Sequence, residues 1–353
     1  MKYLLWGAVV GLLGLMAVLA VLSMRDDSAT NDEIAHIAAG YSYLTQRDYR
    51  LNPEHPPLVK DLAALPLLFL DLDFPSEHPS WTESINDQWG VGRIFLYFSG
   101  NDADQILFWA RLPMIFILVA LGIFLFYWTK KIAGVWAGIF ALLLFVFSPT
   151  FLAHGRLVTT DVAAALGFLV SIHFYLRFLR FPSWRNTLLV GVSFGIALLL
   201  KFSLVILFPF FVFLGAFFVF VSFNDEKKRL LRRYALSGIV IVFLVFSIVG
   251  FVYGLHILSY PAEKQVVDSK VILATALGTD PANVPFEFAR NTFIRPYGHY
   301  AMGLLRTIAR VETPVREYFL GTTGFSGWWY YFPVMYFFKV PLSFHFLLLI
   351  SIG

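Results

Sequence analysis

The sequence predicts an all-α polytopic membrane protein, and its composition and its long apolar runs predict this fold class. Of the 353 residues, 58% are hydrophobic and only 14% are charged, whereas soluble domains carry roughly 25% charged residues. Runs such as 4–22 and 107–128 approach the roughly 20 apolar residues that a helix needs to cross a bilayer. These observations exclude a soluble globular protein.

The apolar runs predict eight membrane spans within a single module covering residues 1–353. The first run is longer than the core of a cleaved signal peptide, so we expect it to be retained. We expect a break at Lys201, because the run 187–223 is too long for one span. The chain ends inside an apolar run, which predicts that a C-terminal part is missing. The predicted spans are 4–22, 107–128, 133–151, 160–178, 186–200, 203–222, 235–257 and 332–352.

When the N-terminus is placed in the cytoplasm, positive and negative residues fall on different sides of the membrane. The cytoplasmic segments then hold eleven Lys and Arg residues against Asp225 and Glu226 alone, as expected for short cytoplasmic loops. The pattern predicts a multi-pass protein of the cytoplasmic (inner) membrane with two large extracytoplasmic loops, 24–106 and 258–331. The first loop includes a predicted interfacial helix at 61–73. The net charge of +4 does not indicate a nucleic-acid partner.

The first loop begins with a helix start that carries ionisable residues. Thr30 and Glu33 have capping-box spacing, and Asp32, Glu33 and His36 share one helix face. This arrangement suits a base with its orienting group, or part of a metal site. The alternative is that both acids only complement the helix dipole.

A proline-rich turn follows and fixes Glu54 and His55 in an extended conformation. Three positions here and downstream supply cations beside the bilayer: Lys60, Arg111 at the end of a span, and Lys201. Arginine grips phosphate through two parallel hydrogen bonds, and lysine adds a point charge. The alternative for each cation is snorkelling to lipid headgroups.

Two later segments complete the candidate set. The segment 154–161 brings His154, Arg156 and Asp161 to the same side of the membrane, with Asp161 starting a helix. The late loop adds His299 and, further along, the adjacent pair Trp328 and Trp329. The rings of these tryptophans could stack on a sugar or form an interfacial aromatic belt.

Several chemistries lack their usual motifs in this chain. Without cysteine, disulfides, thiolate metal sites and a catalytic thiol are excluded. The sequence also has no Walker-type and no Rossmann glycine pattern, so the usual cradles of nucleotide chemistry are missing.

These motifs, in order from about residue 5 to the end, resemble the GT-C glycosyltransferases of the protein O-mannosyltransferase and aminoarabinose-transferase type, glycosyltransferase family 39. The Asp-Glu-Ile-Ala-His sequence departs from the pattern of the aminoarabinose branch. Members of the family are typically longer. The matching segments are 32–33, 52–60, 110–113, 148–161, 200–203 and 327–333.

The resemblance implies a GT-C-like transmembrane bundle that transfers a hexosyl (mannosyl) or pentosyl group, with inversion, from a polyprenyl-phosphate donor to a hydroxyl of a protein, lipid or glycan. It implies that Asp32 is the general base, that Glu33 is its neighbour in the catalytic motif, and that Arg111 grips the donor phosphate. Asp161 falls in the second outer motif. Lys60, Arg156 and Lys201 would add phosphate-binding charge.

Two questions stay open at this stage. No cofactor is implied, but a divalent cation held by Asp32, Glu33, Glu54, His55 or Asp161 is compatible with the residues. A transporter or lipid flippase is the alternative function, since intramembrane cations and broken spans are typical of that class. A non-catalytic scaffold is the third, and the clustering of ionisable residues disfavours it.

Overall fold

A computed structural model describes residues 2–222, 224–312, 316–325 and 327–352, and most of these residues lie in helices. The helices of the first half are α1 (Lys2–Met24), α2 (Asn31–Gln46), α3 (Leu58–Ala64), α4 (Pro79–Thr82), α5 (Gln88–Tyr97), α6 (Ala103–Ala133), α7 (Val135–Val146) and α8 (Pro149–His154). Those of the second half are α9 (Asp161–Arg180), α10 (Trp184–Leu200), α11 (Leu207–Val221), α12 (Asn224–His256), α13 (Ala262–Leu277), α14 (Arg295–Glu312), α15 (Tyr331–Lys339) and α16 (Leu342–Ile352).

The remaining regular elements are short. Four 3₁₀ helices lie at Leu65–Phe69, Phe202–Ile206, Pro281–Asn283 and Glu287–Arg290. One antiparallel hairpin pairs β1 (Glu317–Phe319) with β2 (Thr322–Gly324). Its turn residues Leu320 and Gly321 have φ values of 46° and 89°, the left-handed conformation that two-residue hairpin turns require.

The described residues contain five helices that are long and apolar enough to cross a membrane, or up to six if a bent pair counts as one span. They lie at Tyr3–Met24, Ala103–Ala133, Asp161–Arg180, Phe202–Val221 and Lys227–His256. The all-α polytopic fold class is therefore confirmed. The predicted break at Lys201 is also present, because α10 ends at Leu200 and Lys201 is extended, with φ −158° and ψ 137°.

Three predicted elements take a different form. The span 332–352 is divided into α15 and α16, which meet at an angle of 107°, and Pro341 at the break cannot continue a helix. The span 133–151 is the 12-residue α7 followed by α8, with Pro149 starting the second helix. The interfacial helix 61–73 is replaced by α3 and the 3₁₀ helix Leu65–Phe69.

The spans pack in two groups that share α6. One buried cluster joins α1, α6 and α7. The larger cluster joins α9, α10 and α12 to the helices α2, α3 and α5 of the first loop. The first loop therefore packs onto the bundle. We call the end of the bundle where segments 25–102, 257–312, 316–325 and 327–330 lie the loop face.

Glycines allow α2 to lie against its neighbours in the loop-face layer. A Cβ at Gly40 would overlap the carbonyl oxygen of Lys60 in α3, and one at Gly92 in α5 would overlap the carbonyl oxygen of Ile34. The contacts are to backbone atoms, so a side chain at either position forces the helices apart.

We predict that Gly40→Ala destabilises the protein by about 1–3 kcal/mol, the usual cost of overpacking. Thermal unfolding of the purified full chain measures the effect. Gly7→Ala in α1 is the matched control, because a Cβ there meets no atom within 4 Å. Equal melting temperatures for the two variants would contradict the packing described here.

Candidate functional site

Glu33 of α2 and Arg111 of α6 form a buried ion pair where the first loop packs on the bundle. Arg111 donates from Nε to Oε1 and from Nη2 to Oε2 of Glu33, both at 2.8 Å, and the side chains are 1% and 0% exposed. The other three N–H groups bind the carbonyl oxygens of Met24, Asp27 and Ser28 at 2.9–3.0 Å. All five donors of this guanidinium are therefore used within the protein.

Glu33 uses its remaining acceptor positions to hold two more segments. It accepts from the backbone N–H of Thr30 at 3.0 Å and from its hydroxyl at 3.1 Å, which completes a capping box. It also accepts from the backbone N–H of Val158 at 3.0 Å. Burial works to raise the pKa of Glu33, but the bonds from Arg111 and from these backbone groups hold it below its usual value.

His36 hydrogen-bonds to the carbonyl group of the same residue, Val158. Its Nδ1 lies 2.9 Å from the carbonyl oxygen of Val158, and because a carbonyl only accepts, Nδ1 carries the proton. Burial and the charge of Lys60 lower the pKa of His36, so the ring is neutral and Nε2 keeps a lone pair. One turn of α2 therefore fixes the segment that leads to Asp161.

Asp32 has the opposite environment to its neighbour Glu33. It is exposed in the first turn of α2, and among the described residues it forms no hydrogen bond or ion pair. Asp161, at the start of α9, pairs instead with Lys201, at 2.6 Å between Oδ1 and Nζ, and both side chains are partly exposed. Among the three predicted catalytic acids, Asp32 alone is both fixed in place by its helix and unpaired.

Lys60 lies beneath the proline-rich turn and is fully buried. Its Nζ lies 2.8 Å from four oxygens, which share its three N–H groups: the Tyr43 hydroxyl, the carbonyl and side-chain oxygens of Asn52, and the carbonyl oxygen of His55. Burial lowers the pKa of Lys60 well below its usual value, against the opposing charges of Glu54 and Asp61. This cation holds the turn together and does not face the open site.

The turn presents His55 and Glu54 differently. The ring of His55 is half-buried, 4.9 Å from that of His36 at an angle of 77°. Burial, His36 and several cations, among them Lys201 and Arg310, lower the pKa of His55 to about 2. Glu54 is buried, accepts from Gln88, and lies 3.6 Å from Nε of Arg306.

Arg306 and Arg310 on α14 are site residues that the sequence analysis missed. Thr307 between them donates to the carbonyl oxygen of Glu54 at 3.1 Å, and Gly303 packs against the carbonyl of Pro53. The only signal in the sequence is the strong amphipathicity of 295–312, with two arginines four residues apart. Nothing in that pattern shows which loop the helix contacts.

The other predicted residues serve the scaffold or form no hydrogen bond with Asp32 in the part of the chain that the structure describes. Arg156 donates to the carbonyl oxygen of Ser23 at 2.6 Å and to Asp27, which ties segment 154–161 to the end of α1. His154 is exposed. His299 is buried against Tyr49, with ring centroids 4.6 Å apart.

The two tryptophans belong to the hairpin region. The ring of Trp328 lies 5.4 Å from that of Phe319, and Trp329 is 89% exposed and contacts Tyr330. The structure does not bring either ring against Asp32 or the proline-rich turn.

The metal-binding candidates are not gathered into one centre. Within the described ranges, no group of three His, Asp or Glu side chains is placed to hold a metal ion. The carboxylate oxygens of Glu33 already accept hydrogen bonds from Arg111 and from backbone amides, so they are not available to bind a metal ion.

Residues 91–251 match the model of a family described as dolichyl-phosphate-mannose-protein mannosyltransferase. The matched segment runs from α5 nearly to the end of α12 and includes Arg111, Asp161 and Lys201. The match confirms the resemblance to GT-C glycosyltransferases and supports a membrane-bound, mannosyltransferase-type enzyme. No curated protein and no solved structure matches the chain.

We predict that Arg111→Gln lowers the free energy of unfolding by about 3–5 kcal/mol, because it leaves a buried carboxylate without its partner. Thermal or denaturant unfolding of the purified protein measures the loss. Arg290→Gln is the control, since the Arg290 pairs with Glu263 and Glu287 are exposed and such pairs contribute about 0–1 kcal/mol. Similar losses in both variants would contradict the role assigned to Arg111.

Acid should destabilise the loop face because buried histidines must take up protons. Burial and nearby cations lower the pKa of His299 from 6.5 to about 3, so the unfolded chain binds more protons between these values. The stability that depends on the neutral His299 ring is therefore fully present above about pH 6.5 and is lost as the pH falls toward 3.

We predict that His299→Gln makes the melting temperature less dependent on pH between about pH 7 and 5, because the variant takes up about one proton fewer on unfolding. His154→Gln, at an exposed position, should leave the slope unchanged. An unchanged slope in the His299 variant would show that this ring titrates normally in the folded protein.

Proposed function

We propose that the chain transfers a sugar from a polyprenyl-phosphate donor to an acceptor hydroxyl at the loop face, with inversion at the transferred carbon. The observation that carries this proposal is the exposed, unpaired carboxylate of Asp32, fixed beside the buried Glu33–Arg111 pair and on the same face as partly free cations. The family match of residues 91–251 supports the reaction class.

Asp32 is the general base in this proposal. As the acceptor oxygen attacks the anomeric carbon, its proton passes to the Asp32 carboxylate and the bond from that carbon to the phosphate oxygen breaks. The polyprenyl phosphate leaves with the electron pair. A single displacement of this kind inverts the anomeric centre, and a positioned base contributes about 10²–10⁴-fold to such a step.

The leaving phosphate gains negative charge, so cations near the bilayer boundary stabilise the transition state. Lys201 fits this role because it lies at the break between two apolar helices and is partly exposed. His55, whose pKa is lowered by burial and nearby cations, is neutral and can offer a hydrogen bond to a sugar hydroxyl.

The buried residues act as positioning groups in this scheme. Glu33 and Arg111 hold the N-terminus of α2, and so the adjacent Asp32, in a fixed place. Lys60 holds the turn that carries His55. These assignments replace a direct role of Glu33 in proton transfer and of Arg111 and Lys60 at the phosphate, because their polar atoms are already satisfied within the fold.

The charge distribution of the sequence supports an extracytoplasmic loop face, with the N-terminus in the cytoplasm. A donor that is anchored in the bilayer reaches this face without a nucleotide-binding domain. The description of the matching family points to a mannosyl donor and a protein acceptor. A lipid or glycan acceptor would use the same base and the same leaving group.

We predict that Asp32→Asn lowers sugar transfer by about 10²–10⁴-fold while the protein stays folded and inserted. Transfer of labelled sugar from a polyprenyl-phosphate mannose donor, by membranes that contain each variant, measures the effect. Asp104→Asn is the matched control, because Asp104 is also an exposed acid in the first turn of a helix. Full turnover by the Asp32 variant would remove this residue from the mechanism.

A further inference from the structure

A further buried ion pair lies where the first loop meets the end of α12, and the proposed mechanism does not use it. Nε2 of His256 lies 2.9 and 3.0 Å from the two carboxylate oxygens of Asp61 in α3, and the two side chains are 9% and 12% exposed. The other ring nitrogen, Nδ1, lies 2.6 Å from the carbonyl oxygen of Val252. Both nitrogens of this ring are therefore hydrogen-bonded inside the protein.

The partners of the His256 ring determine its protonation. A backbone carbonyl only accepts hydrogen bonds, so Nδ1 carries a proton. Nε2 is almost equally far from both oxygens of Asp61, which is the geometry of one N–H shared by an ionised carboxylate. A protonated carboxyl group would donate through one oxygen and bring that oxygen closer. His256 is therefore a buried imidazolium, and Asp61 is its counter-ion.

Two tyrosines connect this imidazolium to the proline-rich turn. The rings of Tyr43 and Tyr49 lie 5.6 and 5.9 Å from that of His256, which is within the range of aromatic contacts. The Tyr43 hydroxyl donates to the carbonyl oxygen of Leu51 at 2.6 Å. The Tyr49 hydroxyl donates to the carbonyl oxygen of His55, also at 2.6 Å. Each ring that contacts the imidazolium thus holds part of the 51–55 backbone.

Asp61 connects the same ion pair to the turn through α3. Its backbone N–H donates to the carbonyl oxygen of Pro57 at 2.9 Å. The preceding residue, Lys60, binds the carbonyl oxygens of Asn52 and His55. The turn and the start of α3 therefore form one hydrogen-bonded unit, and the pair with α12 attaches this unit to the bundle.

We infer that His256 and Asp61 are positioning residues of the proposed transferase: while His256 is protonated, their pair holds the proline-rich turn, and with it the His55 ring, in the site. The inference rests on the proposed function for its effect on turnover. Its effect on the turn is measurable without any turnover. Raising the pH removes the proton of the imidazolium, so the order of the turn and the rate of transfer should both fall.

Other titratable groups share the surroundings of His256. Burial lowers the pKa of Lys60 well below its usual value, so Lys60 also loses its proton at a lower pH than a free lysine. His299 is neutral at these pH values, because burial and nearby cations lower its pKa to about 3. The titratable and charged groups of the cluster are Lys60 and Asp61 in α3, Tyr43 in α2, Tyr49 and Glu54 beside the turn, Tyr253 in α12, and Arg295, His299 and Tyr300 in α14.

Because Lys60 titrates beside the pair, the readout is the ratio between wild type and a His256 variant at each pH. Hydrogen–deuterium exchange of the full chain in lipid nanodiscs, corrected for the intrinsic exchange rate, measures the protection of segment 47–60. We expect His256→Gln to lower this protection about tenfold at about pH 6, the effect of losing one charge-assisted hydrogen bond. The ratio should fall toward one by about pH 9, where an imidazole loses its proton.

Sugar transfer by the same preparations should follow the same ratio, because a misplaced group slows a reaction that depends on orientation. His256→Lys is the rescue variant, since lysine keeps its charge to higher pH than histidine. It should restore the protection of segment 47–60 and keep it through about pH 9.

The control and the double variant separate the pair from general damage. Lys264→Gln removes the cation of another loop-face pair, Lys264–Asp268, whose two members lie in the same helix. This control should leave the protection of segment 47–60 unchanged. Asp61→Asn combined with His256→Gln should lose no more protection than either single change, because the residues act as a pair.

Wild-type protection and turnover in the His256→Gln variant would overturn the inference. A loss of the same size at every pH would also overturn it, because a contact without charge does not depend on the proton. If His256→Gln does not fold, the comparison passes to His256→Lys, and a pH profile identical to that of wild type would then overturn the inference. The expected exchange pattern in a wild-type chain that transfers no sugar would uphold the ion pair's hold on the turn and refute the proposed function.

Discussion

The buried pair of Glu33 and Arg111 is the constraint on which the rest of the loop face depends. Placing two charges out of water is costly unless every donor and acceptor is satisfied, and here all five N–H groups of the arginine have partners. Those partners come from the end of α1, the start of α2 and, through Glu33, the Val158 peptide. Three separate segments are therefore held to α6 at one point, and Asp32 immediately precedes Glu33 in the chain.

The cations of the loop face are of two kinds, according to whether their N–H groups are already hydrogen-bonded within the protein. Arg111 and Lys60 are buried and use their N–H groups on the protein, so they shape the scaffold. Lys201, Arg306 and Arg310 are at least partly exposed and keep donors without partners among the residues that the structure describes, so they are suited to an anionic ligand. A lipid phosphate that gains negative charge as it leaves needs cations of the second kind, at the bilayer boundary.

Local patterns predicted much of the fold, and tertiary partners decided most of the site. The apolar runs, the capping box at Thr30 and the break at Lys201 are properties of short stretches, so the sequence predicted them. Pro341 was a visible signal for the bend between α15 and α16, although the apolar run was interpreted as one span. The roles of Glu33 and Lys60 depend on burial against residues far along the chain, as does the approach of α14 to the proline-rich turn, and no spacing within the sequence contains that information.

The central claim is that the loop face carries out sugar transfer from a lipid carrier. The most direct test is to incubate the purified full chain in liposomes with a panel of polyprenyl-phosphate sugars and measure the polyprenyl phosphate that forms. The account predicts that at least one donor is consumed and that free polyprenyl phosphate appears together with a glycosylated acceptor or released sugar. Intact donors across the whole panel, with a folded and inserted protein, would contradict the account and favour transport or binding.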